Sequence, residues 1–440
     1  MNYLGMVSRV VTFGRGNMSR KLTALIAVAS AGLVVTELSA CSSSSSSSAS
    51  GTTLVISSDL PLQGSIKDLS DSTNKAIELY LKQVGYKAGK FKVSFKKYDD
   101  ATAAKGGWDD ATCNKNALAH VANRNEVAVI GTYNSGCAKI IVPILNQDPK
   151  GPMLMVSHAN TNPGLTKKWN PGEPDVYYPK GKRNYARVCT TDDYQGSAAA
   201  QFAQQVLKIK KVYVLNDNQT YGQGVAQAFT TEAKKLGLTV LSSGAYGQAW
   251  DSKQPNYEAL FLKAKALNPD MIYVGGIFDN NGGQLVKDKV KVLGDNTKVK
   301  FMGPDGFTGF PDLNVMPEAQ GMYLSFAGLT ADLLPKGGAG AKFLAAYKKA
   351  YKSAPIGAYP IYGVAAVQVV LAAIAKSNGT RKSINAAVFS GKGITIPAGL
   401  SVLGKSIHIS TTSGDVNAKD ITIELIKGNA ETTLQPWTVK

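Results

Sequence analysis

Val127-Ala128-Val129-Ile130-Gly131, followed by Thr132-Tyr133-Asn134-Ser135-Gly136-Cys137-Ala138, decides how this chain folds. The unit is repeated at once, as Met153-Leu154-Met155-Val156 followed by Ser157-His158-Ala159-Asn160-Thr161-Asn162-Pro163. Each copy is a short apolar run ending in a loop of small residues. Such runs suit strands buried on both faces, as in a parallel sheet. The segment Ala138 to Asn146 can form the crossover helix between them, and Asp148-Pro149-Lys150-Gly151-Pro152 stops it. Both loops then leave the carboxyl edge of one sheet, where open α/β folds bind ligands. Gly136, Cys137 and Ala138 would offer free backbone N–H groups at a helix start, a seat for an anion such as a carboxylate. Ordinary tight turns are the plainer alternative.

With 440 residues, 44% of them hydrophobic and 18% charged, the chain can bury two domain cores. Its net charge of +18 is spread over scattered lysines, with no basic helix or arginine-rich run, which argues against nucleic-acid binding. The charge reads instead as a solvated face toward an anionic cell surface. His120, His158 and His408 are too dispersed for a local metal motif, and no metal or cofactor is expected. There is no Gly-x-Ser-x-Gly elbow, Walker loop or zincin motif, so an enzyme is not expected either.

Residues 1–40 read as a targeting segment, with basic Arg9, Arg15, Arg20 and Lys21 before the apolar run Leu22 to Val35. That run is shorter than the ~20 residues a spanning helix needs. Met18 would also serve as an initiator. Leu38-Ser39-Ala40-Cys41 matches a bacterial lipobox, with Cys41 the lipidated residue and Glu37 an unusual neighbour. Residues 41–51 then form a serine-rich tether, which suits a domain held off a membrane. Export permits disulfides. A bridge between Cys113 and Cys137 would staple the first loop to the preceding helix and leave Cys189 free and buried; three reduced core cysteines are the alternative.

From Thr53 the pattern is α/β throughout. Strands are expected at Thr53 to Ser57, Lys92 to Tyr98, Lys211 to Leu215, Thr239 to Ser243, Met271 to Gly275 and Val299 to Met302. Helices are expected at Ser72 to Val84, Trp108 to Ala122, Tyr194 to Leu207, Gly224 to Leu236, Tyr257 to Ala266, Gly283 to Leu293, Ala341 to Tyr351 and Ile361 to Ala375. Pro171 to Asn184 reads as a surface excursion. Arg187 to Thr191 and Met322 to Phe326 read as crossings between lobes, and an antiparallel ribbon closes the chain after Ile394.

The chain resembles the leucine/isoleucine/valine-binding group of type I periplasmic binding proteins, from Leu54 to about Leu425. The matching motifs are Tyr98-Asp99-Asp100, Val129-Ile130-Gly131, Ser135-Gly136-Cys137-Ala138, Asn160-Thr161-Asn162-Pro163, Asp193-Tyr194-Gln195-Gly196, Tyr221-Gly222-Gln223-Gly224 and Phe301-Met302-Gly303-Pro304-Asp305-Gly306. The resemblance implies an α/β fold of two Rossmann-like lobes with parallel sheets, joined by a three-crossing hinge. The first lobe would take 52–187 and 325–405, the second 188–324 and 406–440. The family's first-lobe disulfide falls on Cys113 and Cys137. Its amino-acid site would place the Ala138 N–H and Thr161 at the ligand carboxylate, the Ala159 carbonyl at the ammonium, and Asp305, one methylene shorter than the usual glutamate, as the ammonium's ion-pair partner. Tyr194 and Tyr221 keep the second lobe's aromatic character, Phe278 stands where an aromatic pair is usual, and Asn160 replaces a small residue.

The resemblance further implies a receptor that closes on a branched-chain-type amino acid or related small polar solute and partners an ABC permease and ATPase complex. It would work in the cell envelope, lipid-anchored on the outer face of the cytoplasmic membrane. A ligand-sensing ectodomain, or a binder of an amide or small carboxylate, is the alternative. Replacing Cys41 by Ala is expected to release the protein from the membrane fraction; a variant as membrane-bound as the parent would refute the anchor.

Overall fold

The structure, a computed structural model, describes residues 53–439. The expected signal segment 1–40, Cys41 and the serine tether lie outside the described residues. The first sheet is built from β1 (Leu54–Leu60), β2 (Phe91–Asp99), β3 (Glu126–Gly131), β4 (Leu154–Ser157) and β5 (Tyr185–Arg187), in the order β2-β1-β3-β4-β5, all parallel. Every residue of β3 and β4 is buried, as their unbroken apolar runs require. The second sheet holds β6 (Lys211–Asn216), β7 (Met271–Gly275), β8 (Lys300–Gly303), β9 (Tyr323–Phe326), β10 (Asp420–Lys427) and β11 (Ala430–Thr438), in that spatial order. β6 to β9 are parallel, and the closing β10–β11 hairpin runs antiparallel to them. The sheets are therefore mixed rather than purely parallel. A two-residue strand, Lys87–Ala88, also pairs antiparallel with β2.

The helices fill the faces as two-lobed α/β folds demand. They are α1 (Lys67–Gln83), α2 (Asp110–Ala122), α3 (Ser135–Asn146), α4 (Asp192–Gln205), α5 (Thr220–Lys235), α6 (Glu258–Ala266), α7 (Gly282–Leu293), α8 (Ala339–Tyr351), α9 (Tyr359–Ala375) and α10 (Arg381–Phe389). α2 is capped by Asp109, whose carboxylate accepts from the Thr112 N–H at 3.0 Å. α9 is apolar on nearly every side and packs between α1 and the first sheet, so the chain after β9 returns to the first lobe.

Two expectations shift. Tyr323–Phe326 is a strand of the second sheet, so the crossing comes after Phe326 and the lobe boundary expected at 325 falls inside β9. The strand expected at Thr239 to Ser243 shrinks to Thr239–Val240, because Leu241 to Gly244 turns away at the sheet's edge.

Under the first sheet, His120 is fully buried between Asp59, 3.0 Å from Nε2, and Glu126, 2.5 Å from Nδ1. Burial opposes its charge, but the two carboxylates prevail and lift its pKa to about 9. The imidazolium ties α2 to β1 and β3, a structural role far from any metal chemistry.

Cys113 on α2 and Cys137 on α3 form a disulfide with their Cα atoms 5.7 Å apart, and Cys189 is free and buried. Peptide mapping without reduction is expected to recover that pair alone. Opening a loop of this length should cost on the order of 2–4 kcal/mol of unfolding free energy in denaturant titrations. A disulfide containing Cys189 would refute the pairing.

Candidate functional site

β3 delivers the first loop. α3 begins at Ser135, three residues earlier than its sequence suggested, behind an extended Asn134 whose side chain makes no cap bond. The N–H groups of Ser135, Gly136 and Cys137 thus head the helix without intrahelical partners. The Trp108 ring seals one side: a Cβ on Gly136 would come within 2.5 Å of it. The disulfide pins the next residue. Ala138 lies a turn too deep for its expected role, because its N–H is spent on the Asn134 carbonyl at 3.2 Å. The free donors are those of Ser135, Gly136 and Cys137.

β4 delivers the second loop. The Ser157 hydroxyl accepts from the N–H groups of Ala159 at 3.1 Å and Asn160 at 2.8 Å, curling the chain. The Asn160 side chain donates to the Thr132 and Tyr133 carbonyls, each at 2.9 Å, and so ties one loop to the other. Ala159 and Thr161 are buried, and the Thr161 hydroxyl has no hydrogen-bond partner. His158 packs edge-on against Tyr133 and Tyr359, at 5.5 and 5.9 Å between ring centroids. Neither of its ring nitrogens is bonded, and burial pulls its pKa to about 3, so it is neutral.

The second lobe supplies acids. Asp305 follows β8 and opens a short 3-10 turn. The Tyr221 hydroxyl donates to its Oδ1 and the Tyr359 hydroxyl to its Oδ2, both at 2.5 Å. Tyr359 starts α9 of the first lobe, so this contact crosses the seam. The Asn162 side chain crosses it too, donating to the Thr220 carbonyl at 3.0 Å, as does a Ser65–Asp279 hydrogen bond. The lobes are therefore closed on each other. Asp192 heads α4, its N–H on the Thr161 carbonyl at 2.9 Å. Its carboxylate is buried with neither oxygen bonded. Burial, then the nearby Asp305 charge, push its pKa well up, against weaker pulls from the neighbouring Thr161 hydroxyl and then from Arg187. Burial raises Asp305 as well, although both tyrosines stabilise its anion.

Thr161, Asp305 and Tyr221 thus meet at the seam, with Ala159 in the loop wall. Phe278 turns aside to Phe307 and Phe310, 6.1 and 4.8 Å between centroids. Ile277 faces Tyr221 in its place, both within 3.0 Å of where a Gly306 Cβ would lie. Tyr194 points outward into a separate surface cavity of about 210 Å³, between the Lys167 and Lys419 ammonium groups. Sequence reading missed Tyr133, His158, Asp192 and Tyr359. Asp192 stood beside a quoted motif, but an acid at a helix start is ordinarily just a dipole partner.

A two-lobed α/β frame with a polar, buried seam is the architecture of a solute receptor. The family model described as a periplasmic binding protein matches residues 59–409. The chain belongs to this family. It is 26% identical over 357 residues to the Leu/Ile/Val-binding protein BraC3 of Rhizobium johnstonii, covering 80% of this chain and 88% of that one. It is 28% identical over 320 residues to an amino acid binding protein of Pseudomonas aeruginosa, covering 70% and 72%. In fold it is similar to the leucine binding protein LivK from Thermotoga maritima, with a TM-score of 0.72, 22% identity and coverage of 88% and 99%. A solute binding protein of Rhodopseudomonas palustris in complex with p-hydroxybenzoic acid matches with a TM-score of 0.72, 15% identity and coverage of 88% and 98%. Periplasmic binding proteins are extracytoplasmic receptors, not enzymes, and among the described residues no helix is long and apolar enough to cross a membrane.

Because Asp192 binds its proton more tightly in the folded chain, its charge costs stability as pH rises above the unfolded value near 4 toward the folded one. Asp192→Asn is expected to stabilise the ligand-free protein at pH 7 by on the order of 1–3 kcal/mol. Thermal melts from pH 4 to 8 would show a flatter decline; a variant less stable than the parent at pH 7 would refute the unpaired charge.

Proposed function

We propose that this periplasmic binding protein is the solute receptor of an ABC importer and that its ligand carries an amino-acid head group. The observation that carries the reading is the pair of buried carboxylates, Asp192 and Asp305, at a seam where no side-chain ammonium meets either one. A ligand ammonium would supply the missing cation, assisted by the Thr161 hydroxyl and the Ala159 carbonyl. The ligand carboxylate would take the N–H groups of Ser135 and Gly136, where the α3 dipole favours an anion. Closure of the two lobes over a zwitterion would pair every one of these groups, so the ligand would stabilise the closed state.

A benzoate-type ligand, as in the Rhodopseudomonas structure, is disfavoured on charge: it would add an anion to two buried carboxylates and leave both unpaired. The amino-acid-binding names of the relatives support the amino-acid reading. Lipid anchoring through Cys41 would keep the receptor at its permease.

Calorimetric titration with amino acids, their amides and benzoates is expected to find an amine-bearing ligand. Asp305→Asn should then weaken that ligand by roughly 2–5 kcal/mol, as for other desolvated charge pairs. Tight benzoate binding, or unchanged affinity for an amine-bearing ligand in Asp305→Asn, would overturn the assignment.

A further inference from the structure

Behind Asp305 lies a second cavity, of about 430 Å³, where the second crossing, the β10–β11 hairpin and the start of α9 converge. Its polar lining is acidic: Asp332, Glu424 and Glu431, with the hydroxyls of Thr308, Thr330 and Thr433. Glu424 is the telling residue. It sits on the same face of β10 as Thr422, whose hydroxyl donates to the Gly328 carbonyl of the crossing at 2.7 Å, and it pairs across the hairpin with Thr433. That face looks into the cavity. Glu424 is only 5% exposed, yet what acts on its carboxylate is burial and the repulsion of Glu431 and Asp332, with no hydrogen-bond donor among the described residues.

The other two acids are held but not neutralised. Glu431 accepts from the Gly309 N–H at 2.7 Å. Asp332 accepts from the hydroxyls of Thr330 at 2.7 Å and Thr433 at 3.0 Å. In a chain with 49 lysines and arginines, none of the described ones forms an ion pair with any of the three. A cluster like this is expensive unless something cationic occupies it. The three acids do not bring one oxygen each within 4.8 Å of one another, as a three-carboxylate metal site would. The cavity is far larger than an ion, and its hydroxyls and separated carboxylates suit N–H donors spread along a small organic molecule.

We propose that this cavity is a second ligand site, selective for a small organic cation bearing primary ammonium groups, with a short diamine as the best fit. Glu424 and Glu431 receive its ammonium ends, and the threonine hydroxyls take the remaining N–H donors. The site is lined from both lobes, by Ala358 and Thr330 on one side and Thr308 and Glu424 on the other. Its occupant therefore favours the closed arrangement independently of whatever fills the seam. Thr308 connects the two places: its hydroxyl donates to the Asp305 carbonyl at 2.8 Å.

Calorimetric titration of the purified chain at pH 8 with 1,4-diaminobutane tests this, with sodium, magnesium and tetramethylammonium chlorides at matched ionic strength as controls. One diamine per chain is expected, at least ten-fold weaker in Glu424→Gln. Asp332→Asn, at an exposed position where folding is not at stake, should weaken it several-fold. The proposal is overturned by no diamine binding to the parent, by magnesium binding in its place, or by equal binding in both variants. It is equally overturned if Asp305→Asn abolishes diamine binding while Glu424→Gln leaves it unchanged, which would put the diamine in the seam.

Discussion

The buried guanidinium of Arg187 is the constraint on which the binding loops and the hinge both depend. It ends β5, immediately before the chain first leaves the first lobe. It donates to the carbonyls of Asn160 at 2.7 Å and Asn162 at 2.9 Å, to the Thr166 hydroxyl at 2.6 Å, and to Asp415 at 2.8 Å. One planar fork therefore fixes two carbonyls of the second binding loop and a carboxylate on the third crossing. The Arg187 N–H adds a bond to the Gly414 carbonyl at 3.0 Å. With four of its five N–H donors committed to these groups, Arg187 makes no hydrogen bond to Asp192, although it lies near enough to lower that acid's pKa. The same residue thus builds the loop and leaves the seam short of a cation.

That shortage is the electrostatic theme of the molecule. Net charge is +18, yet the buried cations Arg187, Lys289 and Arg381 are held by other partners while carboxylates are taken inside unpaired at the seam and at the hairpin cavity. An unpaired carboxylate in low dielectric costs several kcal/mol even after relaxation. A closed receptor with empty sites carries that cost twice over, and an open one sheds it to water. On the proposed reading, affinity for cations and preference for the liganded closed form would be one property. Neutral His158 fits the scheme: a charged imidazole at the centre of the aromatic wall would compete with the ligand's own ammonium, and burial keeps it uncharged.

What the sequence disclosed follows from which signals are local. Buried parallel strands announce themselves by unbroken apolar runs, so β3, β4 and β7 were legible, as were the loops at their carboxyl ends. Thr161 and Asp305 were findable because each follows such a strand within a recognisable motif. Errors came where one residue of register changes a side chain's direction. After β7, Ile277 faces the seam and its neighbour Phe278 faces away. On α4, Asp192 faces inward while Tyr194, two positions on and so about 200° around the helix, faces solvent lysines. Ala138 failed for another reason: Asn134 leaves α3 uncapped by its side chain, so no capping signature marked the true start at Ser135. Tyr359 had no local signal at all. It reaches Asp305 only because α9 lies across the first sheet and projects its first residue over the seam.

Tyr359 and Tyr221 together fix the carboxylate of Asp305 at the seam. An aspartate keeps its charge close to the backbone and would need such support to serve the ammonium of the proposed ligand. Two phenol hydroxyls, one from each lobe, grip its oxygens at 2.5 Å and leave lone pairs on both still open. Their donated bonds spread the anion's charge toward the rings' edges and hold the carboxylate fixed in a site where it could otherwise swing. Asp192 makes up the remaining reach from the other side, next to Thr161. If the ligand carries an ammonium, as proposed, its recognition would be divided between these two acids, and the Tyr359 bond, which crosses the seam, would tie that recognition to the closed lobes. Ligand selection, on the proposed reading, and lobe closure would then rest on the same carboxylate.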